Sequence, residues 1–483
     1  MDEILIRDAY HVAPMAPGGT RSARVDILVQ GDRIVALGPG LSATPPLHPG
    51  ARREVIDASR CVVLPGFVNT HHHLFQTMTR NAPAAQNAKL FDWLAVLYPT
   101  WEFLEPETLF ASTLLGGAEL LLTGCTTTSD HHYLFPRGAP AELLDAQLEA
   151  TEILGIRAHV TRGSMSMGQS RGGMPPDSTV QDEDAILRDC ERVLDRHHDP
   201  RPRSMKQIAL APCAPFSVSE DLMRATVRLA RARGVRCHTH LAETEDENAY
   251  CLQRYGCRPL ELMERWEWLG PDVWFAHGIY FTDAEIATLA RTGTGIAHCP
   301  SSNMRLASGI PRLPQLLAAG VPVGLGVDGS SSNDSSDMLG EVRQALLLAR
   351  TGHGAAALTA EDALRLATQG GAALLGRASE LGSLEPGKAA DLVLFDVSGL
   401  DRAGALSDPL AALVFTGISH RAHTVLVNGR VVVRDGRLVT IDEAEVARRA
   451  HAASFRLYQR AGVRLPWGTP PWLDGLLGPP GGG

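Results

Sequence analysis

Eight short apolar runs, each followed by a helical stretch, recur between residues 62 and 329, and this alternation leaves the chain few folds to adopt. The runs are VVLPGFVNT (62–70), GCTTTSD (124–130), GIRAHVTRG (155–163), QIALAPCAP (207–215), GVRCHTHLAE (234–243), VWFAHG (273–278), GTGIAHCP (293–300) and VPVGLGVDG (321–329). Between them, segments such as PETLFASTLLGGAELLL and SEDLMRATVRLARARG place apolar residues three and four positions apart, the spacing of a helix face. Eight repeats of strand then helix predict an α/β fold, a TIM-like (β/α)8 barrel, whose chemistry sits where the strands end.

Both ends of the chain read as β-structure. Residues 24–36 (RVDILVQGDRIVA) form a strand, a Gln-Gly-Asp turn and a second strand. Near the far end, ADLVLFDV, HTVLVNGRVVV and RLVT are broken by Asn428-Gly429 and Asp435-Gly436, two strong hairpin turn pairs. Neither end has enough strands to enclose a core alone, so the two are expected to combine into one small β-sandwich. Residues 1–64 and 381–445 are its expected halves, 65–380 the metal-dependent barrel, and 446–483 a C-terminal helix with an irregular, Pro- and Gly-rich tail. Disorder is expected for residues 479–483.

Composition narrows the function classes. Among 483 residues, 45 are Lys or Arg and 54 are Asp or Glu, a net charge of −9 without any basic run. A phosphate-binding surface needs a basic excess, so nucleic acid is not the expected partner. No stretch approaches the roughly 18 apolar residues of a membrane span, and no basic-then-apolar leader opens the chain. A soluble cytoplasmic protein is expected. The eight cysteines lack CxxC spacing, and seven of them read as free thiols of a reducing compartment.

The strand ends carry the chemistry. The first run closes on Asn69-Thr70-His71-His72-His73, and alternation of side chains puts His71 and His73 on one face with His72 opposite. The fifth closes on His238-Thr239-His240-Leu241-Ala242-Glu243, the sixth on His277, the seventh on His298 and the eighth on Asp328. Five of eight strands therefore end on groups that ligate metals or carry protons, and burying so many polar groups together is costly without a shared partner. Imidazoles with one carboxylate suit Zn²⁺ or Fe²⁺ in a site that also holds water. For His131, His132, His238 and His298, a pocket role and a packed core role stay equally open. Gly324, Gly326 and Gly329 spell GxGxxG, but Asp328 interrupts the fingerprint and SSSNDSSD follows where a dinucleotide-binding helix would begin. These glycines are read as permitting close packing at the end of the eighth strand.

This combination resembles the amidohydrolase superfamily, whose barrel and terminal β-domain match nearly the whole chain, and within it the mononuclear deaminases. The resemblance implies one divalent ion, Zn²⁺ or Fe²⁺, held by His71, His73, His240 and Asp328. It makes Glu243, in the HxxE motif His240-Leu-Ala-Glu243, the proton shuttle, and gives His277 and Asp328 the task of orienting the attacking water. Two-metal amidases of the superfamily use a lysine at the end of strand 3 or 4. Here those ends are Arg162-Gly163 and Pro212-Cys213, and Lys206 precedes strand 4.

VNTHHHLFQTMTR, SDHHYLFP, APCAPFSVS, HTHLAETEDE and GVDGSSSND are similar to the 8-oxoguanine deaminases of that superfamily. The resemblance implies that Gln76, Tyr133 and Cys213 contact the C6 carbonyl, N7 and C8 oxygen of the purine. By residue type alone, Gln76 caps a helix, Tyr133 packs and Cys213 is a small buried hydrophobe equally well. The implied reaction turns 8-oxoguanine and water into urate and ammonia, with guanine and isocytosine as weaker substrates. A hydroxy-s-triazine aminohydrolase with the same metal chemistry is the alternative. For Trp93, Tyr98, Trp101 and Phe103, an aromatic lid over a flat heterocycle and core packing both stay open, and they are left out of the expected site. A small heterocyclic substrate, no membrane or nucleic-acid partner, and a homo-oligomer complete the implied picture. A metal-bearing scaffold without turnover would have no need of Glu243, so an enzyme is expected.

Overall fold

Gly66 divides the first apolar run between two domains. In the computed structural model, which describes residues 2–46, 50, 52–140, 142–466, 468 and 470–473, Cys61–Pro65 pairs antiparallel with Leu392–Asp396, whereas Phe67–Asn69 enters a parallel barrel. A Cβ at Gly66 would lie 2.2 Å from the Thr126 side chain, so only glycine lets the chain pass this close to the next strand. VVLPGFVNT is thus not one barrel strand, as the sequence pattern implies. Its unbroken apolar character has a physical source: Val62 and Leu64 pack toward the barrel while Val63 packs into the sandwich, so both faces are buried.

The barrel strands are β1 (Phe67–Asn69), β2 (Cys125–His132), β3 (Arg157–Ser164), β4 (Lys206–Pro212), β5 (Cys237–Leu241), β6 (Val273–His277), β7 (Gly295–His298) and β8 (Val323–Leu325). They pair in parallel in chain order and close where Leu325 meets Asn69. The helices between them follow local rules. In Glu220–Arg233, the Ser219 hydroxyl accepts the Leu222 N–H, acidic residues fill the first turn and Arg231 and Arg233 the last, and Gly234 ends the helix at φ 66. Its buried positions Leu222, Met223, Thr226, Val227 and Ala230 form one face against the barrel.

The two chain ends build the expected second domain. A four-stranded sheet (Arg33–Gly38, Val25–Gln30, Glu3–Ala9, Arg53–Asp57) packs on a six-stranded sheet whose centre is Thr424–Val427, Leu392–Asp396 and Cys61–Pro65. Ile6, Ile27, Val29, Val63, Leu392 and Leu394 fill the space between them. Asn428 and Gly429 have φ 51 and 75, and Asp435 and Gly436 have φ 50 and 71, the paired positive values of a tight hairpin turn. The helix Glu443–Arg460 returns to the barrel, setting Ala450, Ala453 and Leu457 against Met78 and Ala111. Residues 479–483, expected to be disordered, lie outside the described residues. Among the described residues no helix is long and apolar enough to cross a membrane, and all eight cysteines are free and buried.

Candidate metal centre and active site

His71 and His73 leave β1 at the top of the barrel, and β8 comes close enough to share the site because Gly326 has no side chain. A Cβ there would sit 2.7 Å from the Cβ of His71. The Asp328 N–H then donates to the His71 carbonyl at 3.1 Å, fixing the carboxylate beside the imidazoles.

The hydrogen-bond partners fix the tautomers of four histidines. His73 Nδ1–H donates to the His131 carbonyl at 2.8 Å, and His240 Nδ1–H to the Cys213 carbonyl at 2.7 Å. His238 Nδ1–H donates to the Trp274 carbonyl at 2.9 Å, so its Nε2 can only accept, here from His71 Nδ1–H at 2.7 Å. The Nε2 atoms of His71, His73 and His240 therefore all carry lone pairs. His73 Nε2 lies 3.0 Å from His240 Nε2, and both His71 Nε2 and His73 Nε2 lie 3.2 Å from Asp328 Oδ1. Four acceptors converge without a proton between them, and His71 Nε2 and Asp328 Oδ1 have no hydrogen-bond partner. Burial holds His71 and His240 well below the usual imidazole range, so protonation does not relieve the crowding. Three imidazole nitrogens and one carboxylate fit a divalent ion.

The structure also sorts the histidines the sequence left open. His238 is the relay behind His71. His131 joins His71, His73 and His240 in a group whose ligand atoms lie within 4.8 Å of one another; its Nε2–H donates to the Ala211 carbonyl while Nδ1 has no partner. His132 packs against Phe75 and Phe135 with neither ring nitrogen bonded, and burial lowers it to about 3. His298 is buried and off the cavity wall. His72 turns away to Ser336 Oγ at 2.9 Å.

Glu243 and His277 stand beside the acceptor cluster. His277 Nδ1–H donates to Asn303 Oδ1 at 3.0 Å, which turns Nε2 toward Glu243 Oε2 at 3.5 Å and Asp328 Oδ2 at 4.0 Å. The Ser308 hydroxyl donates to Glu243 Oε1 at 3.3 Å, and the Ser332 hydroxyl to Asp328 Oδ2 at 3.0 Å. Burial raises the Glu243 carboxyl, with His277 opposing. Burial lowers His277, yet the Glu243 and Asp328 carboxylates prevail and raise it. A carboxyl pushed up beside an imidazole pushed up suits proton exchange near neutral pH. Ala242, His277 and Asp328 all have positive φ (54, 71 and 61), so backbone strain is concentrated at three strand ends of one site.

A cavity opens on this cluster. Of the nine positions singled out from sequence, eight line it: His73, Gln76, Tyr133, Cys213, His240, Glu243, His277 and Asp328, with His71 behind the wall. Gln76 Oε1 is buried without a partner. Burial pushes the Cys213 thiol up to about 12, which keeps it a neutral S–H at neutral pH. Lys206, at the far end of β4, pairs with Glu152.

One wall departs from expectation. Leu90, Trp93, Leu94 and Tyr98, on one face of the helix Leu90–Trp101, line the cavity, so Trp93 and Tyr98 belong to the site. Trp101 stays behind them, its ring 5.4 Å from Trp93, as core packing. Helical spacing in the segment directly after β1 was the available signal. Phe216, Leu306 and Ser332, also on the wall, had none.

The sequence model of the amidohydrolase family matches residues 62–432. The chain is 51% identical over 432 residues to the 8-oxoguanine deaminase of Pseudomonas aeruginosa, covering 89% of this chain and 94% of that protein. It is 39% identical over 449 residues to the hydroxydechloroatrazine ethylaminohydrolase of Pseudomonas sp. strain ADP, covering 91% and 92%. The zinc complex of atrazine chlorohydrolase from Arthrobacter aurescens TC1 superimposes with a TM-score of 0.88 at 35% identity, over 93% of this chain and all of that one. With barrel, sandwich and acceptor cluster in one chain, the protein belongs to the amidohydrolase family.

Proposed function

We propose that the chain hydrolytically deaminates 8-oxoguanine, giving urate and ammonia, with one Zn²⁺ held by His71, His73, His240 and Asp328. The observation that carries the reading is the meeting, in one cavity, of a cation-demanding acceptor cluster, the buried carboxyl of Glu243, and the trio Gln76, Tyr133 and Cys213. The 51% identity to an 8-oxoguanine deaminase supports the substrate, and the zinc of the atrazine chlorohydrolase structure supports the metal.

A divalent ion in this ligand set supplies the Lewis acidity that makes hydroxide available at neutral pH. Asp328 Oδ2, steadied by Ser332, and His277 Nε2, steadied by Asn303, are the acceptors for the proton of the attacking water. Glu243 delivers a proton to the ring nitrogen beside the amino-bearing carbon. It regains through His277 the proton that Asp328 and His277 took from the water, and passes it to the departing amine. It then takes up the remaining hydroxyl proton as the new carbonyl forms. Gln76, Tyr133 and Cys213 orient the C6 carbonyl, N7 and C8 oxygen of the flat base, while Leu90, Trp93 and Leu94 shield it from water. Guanine and isocytosine carry the same amino-bearing N–C–N carbon and are the weaker substrates.

The 39% identity to a hydroxydechloroatrazine ethylaminohydrolase favours a second reading, an aminohydrolase of hydroxy-s-triazines using the same metal chemistry. Amine release by the zinc-loaded protein, read as ammonia from 8-oxoguanine, guanine and isocytosine and as alkylamine from 2-hydroxy-4,6-bis(alkylamino)-s-triazine, separates the two. Preference for 8-oxoguanine, weakened selectively by Cys213→Ala, is the expected result. Preference for the triazine would overturn the substrate while leaving the metal chemistry in place.

A further inference from the structure

Glu247 is a buried carboxylate that the mechanism above does not use. It is the third residue of the helix Glu245–Tyr255, and it points away from the cavity, back at the chain that delivers Glu243. Its Oε1 accepts the N–H of Ala242 at 3.1 Å, and its Oε2 accepts the N–H of Glu243 at 3.0 Å. An acidic residue at this helix position ordinarily returns to the N–H of the capping residue. Here the cap is Thr244, whose hydroxyl accepts the Glu247 N–H at 3.3 Å, and the carboxylate reaches past it to the two preceding peptides.

Those two peptides are an awkward piece of backbone. Ala242 sits at φ 54, a left-handed conformation unfavourable for any residue with a Cβ. Its carbonyl is held from the end of β6, accepting the N–H groups of Ile279 at 2.9 Å and Tyr280 at 3.1 Å. With Glu247 on the amide side and β6 on the carbonyl side, the strained turn is clamped from both directions. The direction in which Glu243 leaves the backbone follows from that turn, and with it the reach to Ser308 and His277.

We propose that Glu247 is a positioning residue for Glu243, its carboxylate clamping the two peptide N–H groups that aim the Glu243 carboxyl. This rests on Glu243 being the proton shuttle. Because a misplacement near 1 Å costs a reaction about 100-fold, the clamp has kinetic consequences without touching substrate.

The test compares Glu247→Gln, Glu243→Gln and the double variant, each zinc-loaded, for kcat, KM and bound zinc. Glutamine keeps one acceptor but sets an N–H against the second peptide N–H. The expected result for Glu247→Gln is kcat lower by about 10–100-fold, with KM within about threefold and zinc retained. In the Glu243→Gln background it should change the residual rate by less than about twofold, since its effect passes through Glu243. An unchanged kcat in Glu247→Gln, or an equal loss in both backgrounds, overturns the proposal. Full activity in Glu243→Gln overturns the shuttle reading instead. If Glu247→Gln does not fold, Ala242→Gly is added to all three, because glycine takes φ 54 without strain, and the same criteria apply.

Discussion

His73 Nε2 and His240 Nε2 face each other at 3.0 Å with both Nδ1–H groups already spent on backbone carbonyls. Neither ring can turn a proton toward the other without abandoning a buried carbonyl, so the contact is repulsive until a cation enters it. Chelation should therefore cost stability as well as turnover. A ligand present at a thousandfold its Kd stabilises a native protein by about 4 kcal/mol. The melting temperature should drop on dialysis against a chelator and recover with Zn²⁺ or Fe²⁺, in step with ammonia release. A melting temperature indifferent to chelation would count against the four-ligand assignment.

Ser332 reaches the same centre from the loop after β8, donating to Asp328 Oδ2 while Oδ1 faces the imidazoles. Removing the hydroxyl leaves a buried carboxylate oxygen short of one donor and free to rotate. Ser332→Ala should weaken metal affinity or kcat by about 10–100-fold, the usual scale for a group behind a ligand. Competition with a chromophoric chelator measures the first and steady-state kinetics the second. No change in either would mean that the Asp328 position is set by its backbone alone.

Period-two alternation put His71 and His73 on one face, and the ends of the fifth, sixth and eighth runs brought in His240, His277 and Asp328. The resemblance to the mononuclear deaminases supplied the ligand set and made Glu243 the shuttle. Ser308 and Ser332 could not be read, since each arrives on a loop whose path depends on positive-φ residues such as Ala307 and Asp328, nor could Asn303, carried on the short helix Pro300–Arg305 after β7. The role of His238 was hidden for another reason. A relay that fixes the tautomer of His71 shows only when Trp274 on the next strand is seen to occupy its other nitrogen. In the fold, the barrel and the paired chain ends followed from the pattern, but the break at Gly66 is set by the approach of Thr126, which no local pattern encodes.

Arg157, opening β3, and Asp391, just ahead of Leu392–Asp396, tie the barrel to the sandwich. Arg157 Nη2 donates to Asp391 Oδ1 at 2.9 Å and Nε to Oδ2 at 3.2 Å, with both side chains buried. Asp391 Oδ1 also accepts the Asn428 N–H at 2.7 Å, and Arg157 Nη1 donates to the Ser204 carbonyl at 2.7 Å. Asp391→Asn keeps the shape but leaves the buried guanidinium without its counter-charge, which should cost about 3–5 kcal/mol. Denaturant unfolding measures the loss. The kcat of the remaining folded protein should be unaltered, because the pair lies at the opposite end of the barrel strands from the site.

Glu341, on the helix Met338–His353, gives the fold a pH dependence of definite sign. Its Oε1 accepts Asn333 Nδ2–H at 2.7 Å and its Oε2 accepts the Ser301 N–H at 3.2 Å, yet burial prevails and pushes the carboxyl up to about 8 from an ordinary value of 4.5. Between those two values the native protein keeps a proton that the unfolded chain has released, so this group's contribution to stability falls as pH rises. Below the lower value both states are protonated and above the upper one both are ionised, so the slope is confined to the window between. Glu341→Gln cannot ionise and removes the slope. Wild type should therefore lose stability relative to the variant between pH 5 and pH 8, by at most about 1.4 kcal/mol per pH unit for one proton. Urea midpoints of both proteins at pH 5, 6.5 and 8 test this, and taking their difference cancels every other titrating group. A difference that stays flat across the three pH values would show that Glu341 is already ionised in the native state, its two hydrogen bonds having overcome its burial.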